Sequence, residues 1–457
     1  MNQALQWIGE NRHESPEIKI SKRFAFVKFL RRYPIFLLAF GPPLFRSQGI
    51  DATKGEIDIW SFLQVGLLGA VAARSIYRLA SAETILIPKQ IRSIFRLAFL
   101  LGLLFTASTI YSPSRSVSAA YSVLYFLTLI CMVEFVADVY KHPPNWIQCL
   151  FCLRFIAFLL VALDLLTFSF APAIVLQGMR FQGVIGAPMT VICPMIAIIS
   201  AYGVLHGLES KGRSVFYLLV GMAGEFSTQT RGSELALLLC LAILGAGWAK
   251  TRKRSAYLCI SGFMASLLFS ALILGMIGGN RLWNIFNRGQ SAEGIATASG
   301  RTELWKFVIQ YCSAHPQGMG YVAGYRILER MHFSHGSLSN LVGLGNAHNT
   351  YVQVLSDAGW LALAVYLMIL IRVIYLGWRF ARAPALKTVA SSSPPSHAIR
   401  CALVLLVFFL ANGMASADYV VPLKTMFYWQ NLIIAIILGV LARLLVSARA
   451  QQLNFFR

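Results

Sequence analysis

Residues 146–170 read WIQCLFCLRFIAFLLVALDLLTFSF, with charge only at Arg154 and Asp164. A helix needs about 20 predominantly apolar residues to cross a bilayer, and this stretch exceeds that. Residues 184–206, VIGAPMTVICPMIAIISAYGVLH, repeat the pattern. So does most of the 457-residue chain, which is 57% hydrophobic and 13% charged. An ordinary soluble domain carries about 25% charged residues. No water-soluble fold hides so much apolar surface, so a soluble enzyme is excluded. Disorder is excluded by the same apolar content.

Working outward from 146–170, the hydropathy predicts about twelve spans, given one per roughly 20 apolar residues. They lie near 33–45, 57–74, 93–111, 117–140, 146–170, 184–206, 214–229, 233–249, 257–279, 350–376, 399–416 and 424–446. The first is interrupted by Pro34, Pro42 and Pro43, residues that break helices. The expected fold is all-α and polytopic. A basic cytoplasmic segment covers residues 1–32, helices 1–9 cover 33–279, and a large periplasmic loop covers 280–349. Helices 10–12 cover 350–446, and a cytoplasmic tail covers 447–457.

The formal charge is +22, from 40 Lys and Arg against 18 Asp and Glu. In a soluble protein that balance points to nucleic acid. In a membrane protein it reports orientation, because basic residues gather on the cytoplasmic side. With both termini inside, about two thirds of the basic residues fall on the cytoplasmic side, as the positive-inside rule requires. The long loop at 280–349 is then periplasmic, and a loop of that length is usually functional. The expected location is the bacterial inner membrane, with no nucleic-acid partner.

Seven of the eight cysteines fall in or beside apolar runs, and Cys312 stands apart in the long loop. No disulfide framework is implied. Cys149-x-x-Cys152 matches a redox spacing but opens a hydrophobic helix. His332-x-x-His335 lacks a convincing Asp or Cys to complete a metal set. No glycine-rich phosphate loop, nucleotide fingerprint or Asp-x-Asp pair is present, so a soluble nucleotide sugar is not the expected donor.

A few periplasmic residues carry chemistry. Arg231 lies in Thr230-Arg231-Gly232-Ser233-Glu234 between two spans, with Ser233 as a candidate N-cap. Beside a helix N-terminus, an arginine fork suits a phosphate. Alternatively it snorkels to the interface, or pairs with Glu225 or Glu234. Arg301, after Gly300, reads as an anion ligand or a solvated loop charge. Arg180, in Met179-Arg180-Phe181-Gln182-Gly183, leaves the same choice. His348 precedes Asn349, a candidate N-cap. The dipole there keeps an imidazole neutral and able to accept a proton; the other reading is an ordinary loop histidine. Asp164 and Glu225 fall inside spans, where carboxyl groups are costly and often functional.

Three stretches carry a resemblance: STQTRGSELALLLCLAIL at 227–244, GRTELWKFVIQYCSAHPQGMGYVAGY at 300–325 and AHNTYVQVLSDAGWLALAVYL at 347–367. A Ser/Thr-Arg-Gly turn, a Gly-Arg…Trp segment, a Pro-x-Gly-x-Gly turn and His-Asn before an acidic-x-Gly helix together resemble the O-antigen ligase and polymerase superfamily, over roughly residues 180–367. The chain departs at Pro188-Met189, where the family often has Pro-Asn, and at Asp357, where it often has Glu.

The resemblance implies a metal-independent glycosyltransferase without a cofactor, working in surface polysaccharide, exopolysaccharide or lipopolysaccharide assembly. It implies an undecaprenyl pyrophosphate-linked glycan donor and an acceptor hydroxyl on a glycan or lipid A-core, at the periplasmic face. By the same resemblance His348 is the base, Arg231 and Arg301 hold the pyrophosphate, and Arg180 is a weaker candidate for that role. The alternative is a secondary transporter or flippase of a glycolipid or anionic solute, with Asp164 and Glu225 as coupling groups.

Overall fold

A computed structural model describes residues 26–40, 59–82, 87–141, 146–170, 176–177, 180–181, 189–228, 230–251, 301–322, 349–382, 394–416, 419–422 and 424–455. Their helices are α1 (Phe26–Arg32), α2 (Ile59–Ala80), α3 (Lys89–Ala107), α4 (Arg115–Lys141), α5 (Trp146–Phe170), α6 (Met189–His206), α7 (Lys211–Thr228), α8 (Arg231–Thr251), α9 (Arg301–Ala314), α10 (Thr350–Arg382), α11 (Pro394–Gly413) and α12 (Thr425–Phe455). Seven are long and apolar enough to cross a membrane: α3, α4, α5, α6, α10, α11 and α12. The chain is a polytopic helical membrane protein.

Helices overlie the expected spans except at two places. The span at 257–279 lies outside the described residues. The span expected at 33–45 does not start as one helix: α1 ends at Arg32 and a 3-10 helix, Pro34–Ala39, follows. The cause is Pro34, which has no N–H to give and pushes Tyr33 to φ −120°, ψ 74°. A second departure from all-α is a two-residue hairpin, β1 (Leu176–Gln177) with β2 (Arg180–Phe181), in which Gln177 pairs with Arg180. Within the segment expected as a loop at 280–349, residues Arg301–Ala314 form α9.

At one end Arg78 donates to Glu134 and Asp138, at 2.6 Å each, and Arg32 donates to Asp138 at 3.1 Å. These bonds clamp α1, α2 and α4. Arg154 of α5 is paired with Glu209, which also accepts from Ser214 at 2.6 Å. Removing one partner of so buried a pair strands the other charge, which costs more than the pair contributes. At the other end gather the turns after α3, α7 and α11 and the start of α10.

Phe62, Leu219, Leu235 and Ile371 are largely exposed. In water each would forgo about 1.5–3 kcal/mol of burial, whereas against lipid tails the exposure carries no such cost. The interior belongs to α6 and α12, whose residues are buried almost throughout. On α7, a Cβ built on Gly221 would stand 2.6 Å from the Ala197 nitrogen and 2.7 Å from the Cys193 carbonyl oxygen of α6. The glycine lets two backbones touch, which is how helices gain contact where no hydrophobic drive separates them from lipid.

Gly221→Val should therefore push α6 and α7 apart at a cost on the order of 1–3 kcal/mol. In detergent, the variant should melt at a lower temperature than the parent protein. An unchanged melting temperature would show that the helices do not pack through Gly221.

Candidate active site at one end of the bundle

α8 begins at Arg231. The Thr230 carbonyl accepts the Glu234 N–H at 3.0 Å, so Thr230 holds the N-cap position. Ser233, the candidate cap in the sequence, instead donates its hydroxyl to the Thr230 carbonyl at 3.0 Å from within the first turn. The helix starts earlier than expected because Gly232 offers no side chain to obstruct that turn. A Cβ on Gly232 would collide with Ala415, in the turn after α11. The start of α8 is thus pressed onto residues 414–416.

The same turn receives the start of α10. Asn349 caps the helix as its sequence position predicts: Oδ1 accepts the N–H of Tyr351 at 3.0 Å and of Val352 at 3.2 Å. Its amide nitrogen donates to the Met414 carbonyl at 3.2 Å, and the Thr350 hydroxyl donates to the Ser416 carbonyl at 2.6 Å. One short turn therefore joins Arg231 of α8 to Asn349. His348, bonded to Asn349, lies outside the described residues, as do His332 and His335.

Arg301 opens α9. The inner face of α9, Leu304, Val308 and Cys312, forms a small separate core with Met319 and Leu355. Trp360 donates its indole N–H to the Cys312 carbonyl at 3.2 Å, and the thiol donates to the Leu355 carbonyl at 3.5 Å. Cys312 is not a loop residue, as its sequence context suggested, but part of that core. Burial pushes its thiol up to about 11, with the neighbouring Asp357 adding to the shift, so it is no nucleophile at neutral pH. Arg180 sits on β2, which packs against α7, the helix leading into the Arg231 turn.

A second junction locks residues 316–322 to α10. That helix breaks at Ala358 (φ −142°, ψ 16°) and Gly359 (φ 79°, ψ −173°). The broken ladder is repaired from outside. Met319 N–H donates to the Ser356 carbonyl at 2.6 Å, Gly320 N–H to Asp357 at 3.0 Å, and Trp360 N–H to Pro316 at 3.1 Å. Gly318 and Gly320 hold φ of 84° and 114°, which allows this close approach. The Pro-x-Gly-x-Gly turn and the acidic-x-Gly helix are thus one hydrogen-bonded unit.

Tyr321 bolts that unit to the rest of the bundle. Its N–H donates to Ser108 Oγ at 2.8 Å, its carbonyl accepts from Ser118 at 2.6 Å, and its hydroxyl donates to the Val420 carbonyl at 2.7 Å. Its ring stacks on Phe105, with centroids 3.9 Å apart. Asp357, fully buried, accepts from Gln353 at 2.8 Å and from the Val322 N–H. Sequence reasoning missed both Tyr321 and the structural part of Asp357. The one available signal was their position directly inside the two glycine motifs. Asp164 and Glu225 are buried on α5 and α7, both within electrostatic reach of Cys193.

Gly359→Ala should unlatch this unit. Its backbone lies where glycine alone is at ease, and a Cβ would collide with the Pro316 carbonyl. The strain should cost about 1–3 kcal/mol. Hydrogen exchange at Met319 and Gly320 should accelerate, whereas Gly207→Ala, with open space around it, should leave those amides unchanged. Undiminished protection in Gly359→Ala would refute the latch.

Residues 215–367 match the family model described as O-antigen ligase. That segment contains Arg231, Arg301 and His348 and leaves Arg180 outside. No curated protein matches the chain. The matched segment contains the start of α8 and the latched break in α10, whereas the turn at residues 414–416 lies beyond it. Over this segment, about a third of its length, the chain is similar to the O-antigen ligase family.

Proposed function

We propose that the protein transfers a glycan from an undecaprenyl pyrophosphate carrier to an acceptor hydroxyl, on a second glycan or a lipid A-core, at the periplasmic face of the bacterial inner membrane. Both termini then lie in the cytoplasm. His348 takes the proton of the acceptor hydroxyl, whose oxygen attacks the anomeric carbon. The bond from that carbon to the pyrophosphate oxygen breaks, and the electron pair leaves with the lipid pyrophosphate. Arg231 and Arg301 neutralise the charge that develops there, and Arg180 contributes to the same anion.

The observation that carries this reading is the shared turn at residues 414–416. It brings the backbone of Arg231 and the cap beside His348 to one place. A sugar pyrophosphate is a good leaving group, so the demands on the protein are a base, charge stabilisation and positioning. All three belong at the membrane edge, where a lipid carrier presents its headgroup.

Cells lacking the native gene and carrying His348→Ala should lose high-molecular-weight polysaccharide, with transfer falling about 100-fold or more. Arg231→Lys keeps the charge but loses the two-pronged contact, and should raise KM for the donor more than it lowers kcat. Normal polymer from a stably expressed His348→Ala protein would remove His348 from the reaction. Movement of a glycan lipid across liposomes without bond formation would favour the transporter reading, with Asp164 and Glu225 at its centre.

A further inference from the structure

The turn between α7 and α8 is tied by its own hydroxyls. Ser227 donates to the Gly224 carbonyl at 2.7 Å, Thr228 to the Glu225 carbonyl at 2.8 Å, Thr230 to Thr228 at 3.3 Å and Ser233 to Thr230 at 3.0 Å. Each of these hydroxyls commits its one proton to a backbone carbonyl. The Glu225 side chain lies among them, on the last turn of α7, and is wholly buried. Neither of its carboxyl oxygens closes a hydrogen bond. The reaction proposed above gives this group no part.

The surroundings of Glu225 come from three helices. The Ser233 hydroxyl of α8 interacts with its carboxyl without closing a full hydrogen bond, and Glu234 in the same turn adds a like charge. Cys193 of α6 lies within electrostatic reach of Glu225 and of Asp164 on α5. A Cβ on the adjoining Gly224 would stand 2.6 Å from the Cys193 sulfur, so α6 and α7 are in close contact here. Among the described residues no Lys or Arg pairs with Glu225.

A carboxylate only accepts hydrogen bonds, and no donor reaches this one. Holding an unpaired charge away from water is far costlier than burying the neutral acid. A carboxylic acid has a proton to give, and the Ser233 oxygen keeps lone pairs to receive it while its own proton goes to Thr230. The donors then run in series, from Glu225 to Ser233 to the Thr230 carbonyl. That carbonyl also accepts the Glu234 N–H at 3.0 Å, so the series ends on the first turn of α8, which begins at Arg231. Neutrality has a second consequence. An ionised carboxylate beside this turn would compete with an anionic ligand for the guanidinium, and the acid does not.

We propose that Glu225 is a positioning residue, whose neutral carboxyl holds Ser233 and through it the first turn of α8, so that Arg231 meets the donor pyrophosphate in a fixed place. The inference rests on the donor contact proposed above for Arg231. Its test uses the full-length protein in nanodiscs and an undecaprenyl pyrophosphate-linked glycan. Glu225→Gln keeps a donor at the same position and should keep the parent KM and kcat. Glu225→Leu fills the space without a donor, and Ser233→Ala breaks the series in its middle. Each should raise the donor KM about three- to tenfold, as expected for one lost hydrogen bond, with a smaller change in kcat. In an Arg231→Lys background Glu225→Leu should add little, because it acts through the arginine. Fully additive effects would reduce Glu225 to a merely structural part and overturn the positioning role.

Two readouts need no turnover. The infrared spectrum of the parent protein should contain a protonated-carboxyl stretch that Glu225→Gln removes. Hydrogen exchange at the Glu234 amide should accelerate in Glu225→Leu and in Ser233→Ala and stay at the parent rate in Glu225→Gln. Loss of a carboxylate band in place of the acid band, failure of Gln to substitute for Glu, or parent-like exchange in folded Glu225→Leu and Ser233→Ala would overturn the proposal. The expected band and exchange rates in a protein that transfers no glycan, parent included, would instead overturn the catalytic reading and leave the hold of Glu225 on the turn standing.

Discussion

A backbone that leaves its helix near a bilayer must find partners for every freed N–H and carbonyl, because lipid supplies none. α10 faces that demand at Ala358 and Gly359. The carbonyls of Ser356 and Asp357 and the N–H of Trp360 are all answered by residues 316–320. The segment from Arg301 to Val322 is therefore not appended to the bundle. It completes a helix of the bundle, and α9 with Arg301 is held in place as a consequence. Tyr321 extends the same lock to the turn after α3 and to Val420.

The second junction works by a simpler device. Residues 414–416 present two carbonyls to Asn349 and Thr350 and a small side chain to Gly232. Two helix N-termini then meet at one turn. Each brings the positive end of its dipole, which favours an anion before any side chain is considered.

The family motifs acquire a physical reading from these junctions. The Pro-x-Gly-x-Gly turn needs glycines at 318 and 320 because their φ is positive and the α10 backbone lies against them. The glycine of the acidic-x-Gly helix sits at the break that this turn repairs. The acidic residue itself, Asp357, faces inward to Gln353 and the Val322 amide rather than toward an acceptor. Its carboxyl group serves the latch.

The helical, membrane-spanning character of the chain was legible in the sequence, because hydropathy is a sum over neighbouring residues. The Asn349 cap was legible for the same reason: a cap involves only the next three residues. Proline at 34 carried its own warning, and the helix breaks there. What only the tertiary structure decided depends on contacts between distant segments. The burial of Cys312, the role of Tyr321, the pairing of the two glycine motifs and the meeting of α8 with α10 at residues 414–416 all arise from packing. So does the start of α8 at Arg231 rather than after Ser233. A sequence read in windows carries local sums, whereas a site joined across the bundle is set by which backbone groups have no other partner to find.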